Sequence, residues 1–200
     1  MDDLALDGRQ LGKRGAATRR RLLDATTLLL ETHGIRDLRV VDIAREVGTS
    51  PATFYQYFRD VEEAVLVLAA EVGEETAPML ELLQGDWRGK QGLQKARQLV
   101  DDFIVFWDAH RAVLRTRNLA AQEGDQRFRT IRNASLRPVT EGLAELVPAG
   151  DLSPIAAASA LVAMMERMAA FHVDLGSLGA SRADIVETVA HIVHRTVTAS

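Results

Sequence analysis

The sequence predicts an all-α fold of about nine helices, a compact three-helix head followed by a larger helical body. Two observations predict the class. Apolar residues recur at spacings of three and four almost throughout the chain and hardly anywhere at two, which is helix rather than strand periodicity. Helix start and stop signals also punctuate that pattern at helical intervals. Hydrophobic residues make up 47% of the 200 and charged residues 26%, the composition of a globular chain with a real core.

The elements follow in order. Residues 1–15 are polar, broken by glycine, and read as a flexible basic arm. From Thr18, the series Leu22, Ala25/Thr26 and Leu29 marks a first helix, expected to close near His33-Gly34 where glycine suits a left-handed stop. Two short helices follow, at about 40–47 and 51–57. The next starts at Asp60, with Glu63 three residues on in an acidic version of the capping box. It runs through Val65, Leu68 and Val72, and Pro78 is expected to kink or end it. Gln84 to Gly92 holds glycines at 85, 89 and 92 and reads as a loop. Helices are then predicted at 93–109, 111–123, 125–146 and 153–175. A last one at 181–198 is capped by Ser181, with Asp184 at the third position. The resulting partition is an arm (1–15), a head (16–59) and a body (60–200).

Several function classes are excluded or disfavoured. Without cysteine there are no disulfides, no thiol nucleophile and no Cys-ligated zinc. Met1-Asp2-Asp3 is acidic and no apolar segment follows it, against a secretory signal. The apolar run Ile155 to Met165 stops at Glu166-Arg167 and is too short to span a bilayer, so no membrane is expected and the chain is read as cytoplasmic. His191 and His194 are three apart, but no glutamate follows the first as a metalloprotease helix requires, and Glu187 is placed to pair with His191 instead. There is no Gly-rich phosphate loop, no Ser/His/Asp pattern and no Glu-x-x-His pair. No catalytic residue, no metal and no cofactor is expected, and an enzyme is not.

Net charge is −4, yet its distribution is uneven. Between Arg9 and Arg21 lie six basic residues and no acid. Residues 1–59 carry ten basic and eight acidic side chains, against 14 and 20 in the remainder. A slightly basic end on an acidic body suits a protein that presents one face to phosphate, although such a run is also consistent with a solvated tail. Arginine greatly outnumbers lysine, which suggests a GC-rich bacterial genome.

The segment Val40 to Arg59 carries the sharpest signal. Two short helices crossing steeply need a small residue where their backbones approach, supplied by Ala44, and a turn residue able to take positive φ, supplied by Gly48. Ile43, Val47, Phe54 and Phe58 give apolar contacts to lock the pair onto the first helix. Ser50 is an N-cap and Pro51 sits at the first helical position, so the second short helix begins abruptly with its front exposed. In a helix-turn-helix that front enters the major groove. Thr53, Tyr55, Gln56 and Tyr57 supply hydrogen-bonding groups; glutamine can bond an adenine edge twice, and Thr, Tyr and backbone N–H groups suit phosphate. A generic αα-hairpin with an aromatic corner is the plainer alternative.

The stretch Asp42-Ile43-Ala44, Val47-Gly48-Thr49-Ser50 and Thr53 to Phe58 resembles the DNA-binding head of the Tet repressor family, over about residues 16–70. The resemblance implies a homodimer, usually a repressor, released from a double-stranded operator by a small ligand held in the C-terminal body. By that likeness Tyr55 and Tyr57 hold phosphates, Pro51, Ala52, Thr53 and Gln56 face bases, and the Arg19-Arg20 end of the first helix touches the backbone. Thr49, Ser50, Arg39 and Arg59 complete the candidate DNA-contacting set. Two departures stand out. The family commonly has Thr where this chain has Arg39, which cannot cap a helix but can reach phosphate. It also often has Lys where this chain has Val61; Arg59 is the candidate replacement.

In the body, Phe103, Phe106 and Trp107 share one broad side of a helix, and residues 164, 165 and 168 are all methionine. Bulky aromatics with adaptable methionines suit an apolar ligand cavity, and equally a plain core. Arg117, Asn118 and Glu166 are candidates for its polar groups, with exposed surface the plainer alternative for each. The expected effector is apolar, such as an acyl chain or other lipid-like or drug-like molecule. For the dimer interface, the small residues of the helix from Ile155 permit close packing. Ala158, Leu161 and Val162 there, with Ile185, Val189, Ile192, Val193 and Thr196 of the last helix, form the expected stripes; both could instead pack inside one monomer. An activator, or a helical carrier or enzyme with a vestigial head, remain open alternatives.

Overall fold

The computed structural model describes residues 6 and 8–198, and among them the chain is helical without strands. In order the helices are α1 (Lys13–Leu30), α2 (Val40–Val47), α3 (Pro51–Phe54), α4 (Val61–Glu74), α5 (Ala77–Leu82), α6 (Gly89–Gln122), α7 (Gln126–Leu146), α8 (Pro154–Gly176) and α9 (Arg182–Thr198). α6 is interrupted at His110, whose φ of −122° and ψ of 19° leave the helical region, where the sequence breaks one helix at 109 and restarts at 111.

Local chemistry explains most boundaries. At α9, Ser181 and Asp184 form a reciprocal capping box: the Asp184 N–H donates to Ser181 Oγ at 3.2 Å and the Ser181 N–H to Asp184 Oδ2 at 3.0 Å. At α4 the Glu63 N–H donates to Asp60 Oδ1 at 2.8 Å, while the Glu63 carboxylate reaches back one residue further, to the Arg59 N–H.

Four boundaries differ from expectation. α1 begins at Lys13, not Thr18, behind Gly12 as its N-cap, so part of the presumed arm is helix. Residues 1–5 and 7 of that arm lie outside the described residues. α1 ends at Leu30 with Glu31 still in a right-handed conformation, and Gly34 is not among the positive-φ glycines; the left-handed stop expected there is absent. Pro78 does not kink α4 but sits in the first turn of the additional helix α5, where its missing N–H is harmless. α6 starts at Gly89, inside the predicted loop. Gly92 lies within the helix, and only glycine fits there, because a Cβ would lie 1.5 Å from the Trp87 carbonyl oxygen.

Two compact units are distinguished. One holds the described residues up to Val72 together with Ala112–Arg132. Its core is built from Leu22, Leu23, Leu30, Ile43, Phe54, Phe58, Val65, Leu68, Leu114 and Phe128, all buried. The other holds Gly73–Arg111 and the chain from Asn133 onward. Its core includes Trp87, Leu99, Phe103, Ile104, Leu143, Met165 and Val193. There the close approaches Gly73–Ser135 and Gly142–Leu83 bring α4 and α5 against α7; a Cβ on either glycine would meet side-chain carbon at 3.0 and 2.7 Å. By length and composition α8 is long and apolar enough to cross a membrane, contrary to the expectation from Ile155–Met165, though Glu166 and Arg167 interrupt it and about a third of that stretch is buried in the fold.

Candidate nucleic-acid interface

The α2–α3 bend follows from three residues. Gly48 closes α2 at φ 72° and ψ 39°, a left-handed conformation that glycine adopts without strain. The Gly48 and Thr49 N–H groups return to the Arg45 and Ala44 carbonyls at 3.0 and 2.8 Å, satisfying the helix end. Ser50 then caps α3, its Oγ accepting from the Thr53 N–H at 3.3 Å, and Pro51 occupies the first turn. Only four residues are regular helix; Tyr55 to Tyr57 continue as turn.

Phe54 and Phe58, at 5.4 Å between ring centroids, are buried and hold α3 down from beneath. Opposite them, Pro51, Ala52, Tyr55, Gln56 and Arg59 are exposed, Tyr55 at 51%, while Thr49, Thr53 and Tyr57 are half-buried. The Thr53 hydroxyl is already engaged with Ser50 Oγ at 3.1 Å. A groove of about 630 Å³ runs between the starts of α2, α3 and α4, lined by Leu38, Arg39, Val41, Pro51, Tyr55 and Val61 among others. Asp60 and Glu62 make its α4 side acidic. Val61 itself is buried, so the position where a lysine is common in the family offers no cation at the surface.

The arginines divide into two groups. Arg20 is latched to Asp24 at 2.8 Å and to Glu71 of α4 at 2.7 Å. Partial burial disfavours its charge, but Glu71 and then Asp24 outweigh this and push its pKa up. Arg39 pairs with Asp42 at 3.0 Å, and the Asp42 carboxyl is held below its ordinary value by that hydrogen bond and by Arg45. Arg59 lies 3.5 Å from Glu63. Arg19 is instead stacked 5.3 Å over the Phe58 ring. Arg21, which the sequence did not single out, donates from its guanidinium to the Val47 carbonyl at the end of α2, at 2.6 Å.

The body candidates are less unified. Phe103, Trp107 and Met165 are buried core residues, and Phe106 is half-buried, packed 5.1 Å from the His110 ring. Met168 and Met164 are half-buried. Arg117 and Asn118 belong to the other compact unit, where the Arg117 guanidinium donates to Asn118 Oδ1 at 3.0 Å. The interface stripe needs a correction. Ala158, Leu161, Val162, Ile185, Val189 and Val193 are each at most 4% exposed within the single chain, because they pack α8 and α9 into the chain's own core. Of the eight, only Ile192, exposed, and Thr196, half-buried, face outward. They line a groove of about 340 Å³ with Leu152, Ala156, Ala160 and Met164, and the buried Leu161 forms part of its floor. The pairing expected for His191 is present: its Nε2 lies 3.0 Å from Glu187 Oε1, and Arg97 of α6 adds a bidentate contact to the same carboxylate at 2.7 Å.

An all-helical chain whose capped, abruptly started α3 stands on a buried aromatic pair has the architecture of a helix-turn-helix transcription regulator. Residues 22–66 match the model of bacterial regulatory proteins of the tetR family, and residues 80–200 that of the tetracyclin repressor-like C-terminal domain. The chain belongs to the TetR family of regulators. It is 29% identical over 133 residues to an uncharacterized HTH-type transcriptional regulator of Haemophilus influenzae, 65% of this chain and 63% of that protein. It therefore spans under two thirds of that relative's length. Among solved structures, the fatty acid degradation regulator FadR from Bacillus halodurans aligns at a TM-score of 0.68 and 16% identity, covering 94% of this chain and 97% of that one. FadR from Bacillus subtilis in complex with stearoyl-CoA aligns at 0.68 and 16%, covering 90% and 98%.

Proposed function

We propose that the chain is a homodimeric, ligand-responsive repressor that reads a near-palindromic operator through α3 and is released by a small apolar molecule. Residues 16–59 serve as the DNA-binding part and 60–200 as the part that binds effector and partner subunit. The observation that carries the reading is the Gly48 turn with its Ser50-Pro51 helix start, which leaves Pro51, Ala52, Tyr55 and Gln56 outward above buried Phe54 and Phe58. Gln56 is the base-reading side chain, and Tyr55 and Tyr57 hold phosphate. Arg20 is omitted from the contact set because two carboxylates already hold it. Two copies would pair through the outward apolar face of α8 and α9, around Ala156, Ala160, Met164 and Ile192. This would set two recognition helices about 34–36 Å apart, one DNA turn. An acyl-chain-like effector is supported by the clustering of Phe103, Phe106 and Trp107 on one helix and of Met164, Met165 and Met168 on another, and by the stearoyl-CoA bound to the Bacillus subtilis FadR.

Selection of duplexes from a random-sequence library with the purified full chain tests the reading. Recovery of a two-fold symmetric motif with half-sites one turn apart is expected. Recovery of no enriched motif at low salt from folded protein overturns it.

A further inference from the structure

The face that α3 presents has an acid at its edge. Glu62, in the first turn of α4, lines the groove beside Pro51 and Tyr55, and its side chain is about half exposed. Asp60 lines the same groove. A duplex seated on Pro51 and Tyr55 brings phosphates alongside this edge, where each uncompensated carboxylate weakens the attraction.

The compensation comes from 65 residues further along the chain. Arg127, in the first turn of α7, donates from its guanidinium to Glu62 Oε2 at 2.6 Å and to Asp125 Oδ2 at 2.7 Å. Among the described residues it is the one cation within ion-pair distance of Glu62. All three residues belong to the first compact unit. Local bonds fix where Arg127 stands. Gly124, at φ 103°, turns the chain, and the Asp125 carboxylate accepts from the Arg127 backbone N–H at 2.8 Å as well as from its guanidinium. The hydrogen bond from Arg127, against some desolvation, pulls the Asp125 carboxyl down to about 2, so Asp125 stays ionised and holds the guanidinium throughout the neutral range. A cation in the first turn works against the dipole of α7, so Arg127 does not serve its own helix.

We infer that Arg127 is a positioning residue for DNA binding, which neutralises Glu62 at the edge of the reading face and so lets the duplex approach α3. This role rests on the proposed reading of DNA by α3. Two substitutions that break the same ion pair then have opposite electrical consequences. Loss of the Arg127 charge leaves Glu62 bare, whereas loss of the Glu62 charge leaves nothing to mask.

The test uses full-length protein and the duplex that wild type enriches from the random library. Affinity is measured from about 0.05 to about 0.3 M salt for wild type, R127Q, R127K, E62Q and the double variant E62Q/R127Q. R127Q is expected to bind about threefold more weakly per recognition helix at the low-salt end, with the deficit shrinking as salt screens the bare carboxylate. E62Q should bind at least as tightly as wild type, and R127K should keep wild-type affinity. The double variant should recover to within about twofold of wild type. The preferred motif should stay the same throughout, since no base contact is touched. Equal weakening by R127Q and E62Q, a deficit that ignores salt, or a double variant no better than R127Q overturns the masking role and leaves a merely structural ion pair. Those outcomes keep α3 as the reader. Failure of wild type to enrich any motif defeats both.

Discussion

The guanidinium of Arg21 in α1 donates to the carbonyl oxygen of Val47, the last residue of α2, across 2.6 Å. That carbonyl is one of the orphan acceptors at a helix C-terminus, and a cation is favoured there on both hydrogen-bonding and dipole grounds. The bond therefore fixes α1 against the helix whose end sets the start of the Gly48 turn. Arg21→Ala should lower stability by about 1.5 kcal/mol, the low end for a charged hydrogen bond because the residue is exposed and the bond only part-buried. Denaturant unfolding of the two proteins checks this; an unchanged midpoint would remove Arg21 from the account of how α2 is held.

Gln56 is exposed on the α3 turn above two buried phenylalanines, and its amide can pair with an adenine edge in two places. Gln56→Ala should relax base preference at one position of each half-site, worth about 1–3 kcal/mol of discrimination, with little change in salt dependence. Competition binding with single-base operator variants reads this out. Uniform weakening across all variants would place Gln56 on the backbone instead.

Arg20 makes a contrasting case. Its contacts to Asp24 and Glu71 join α1 to α4, and its charge is balanced twice over. Arg20→Ala should cost about 1 kcal/mol of stability, as partly exposed ion pairs do. The slope of affinity against salt should stay at the wild-type value. A slope lower by about 0.9 would mean that Arg20 leaves its carboxylates to hold a phosphate.

The difference between Gln56 and Arg20 is also the difference between what the sequence could and could not show. Gly48, Ser50-Pro51 and the Ser181/Asp184 box act through bonds to residues three or four away, so their geometry is written in local spacing. Arg20 meets Glu71 across 51 residues, and no local pattern announces that partner. Pro78 signals an interruption in helical bonding, but the same missing N–H that ends one helix also starts another, and the sequence alone does not choose. The glycines of the 84–92 segment read as a loop because their positive-φ and close-packing uses look alike on paper. Gly85 and Gly89 take positive φ, whereas Gly92 is helical against the Trp87 carbonyl. The packing of Ala112–Arg132 with the head residues is likewise a through-space fact.

Acid should probe the contact between α6 and α9. The Glu187 carboxyl is pulled down to about 2, first by the hydrogen bond from Arg97, against some desolvation, with His191 helping. A carboxylate whose folded pKa is depressed contributes stability that is fully present above its ordinary value, near 4.5, and is lost as pH falls towards 2. Glu187→Gln should therefore melt below wild type at pH 6 and converge with it by pH 2. Melting temperatures across that range decide the matter, and a gap that stays constant down to pH 2 would show that the charge of Glu187 is not what Arg97 uses.

Burial separates two kinds of residue on α8, and that separation can be tested against assembly. Leu161 is 4% exposed in the single chain, so Leu161→Ala removes core and should cost about 2–5 kcal/mol of stability in the single chain itself. Ala160, its neighbour, is exposed and lines the groove with Ala156, Met164 and Ile192. Glutamate there meets open surface in one chain but would bury an unpaired charge against a second. Ala160→Glu should thus leave helix content unchanged, convert the dimer to monomer in sedimentation, and reduce operator affinity because the two half-sites are no longer bound together. A variant that still sediments as a dimer would move the subunit interface away from the face formed by α8 and α9.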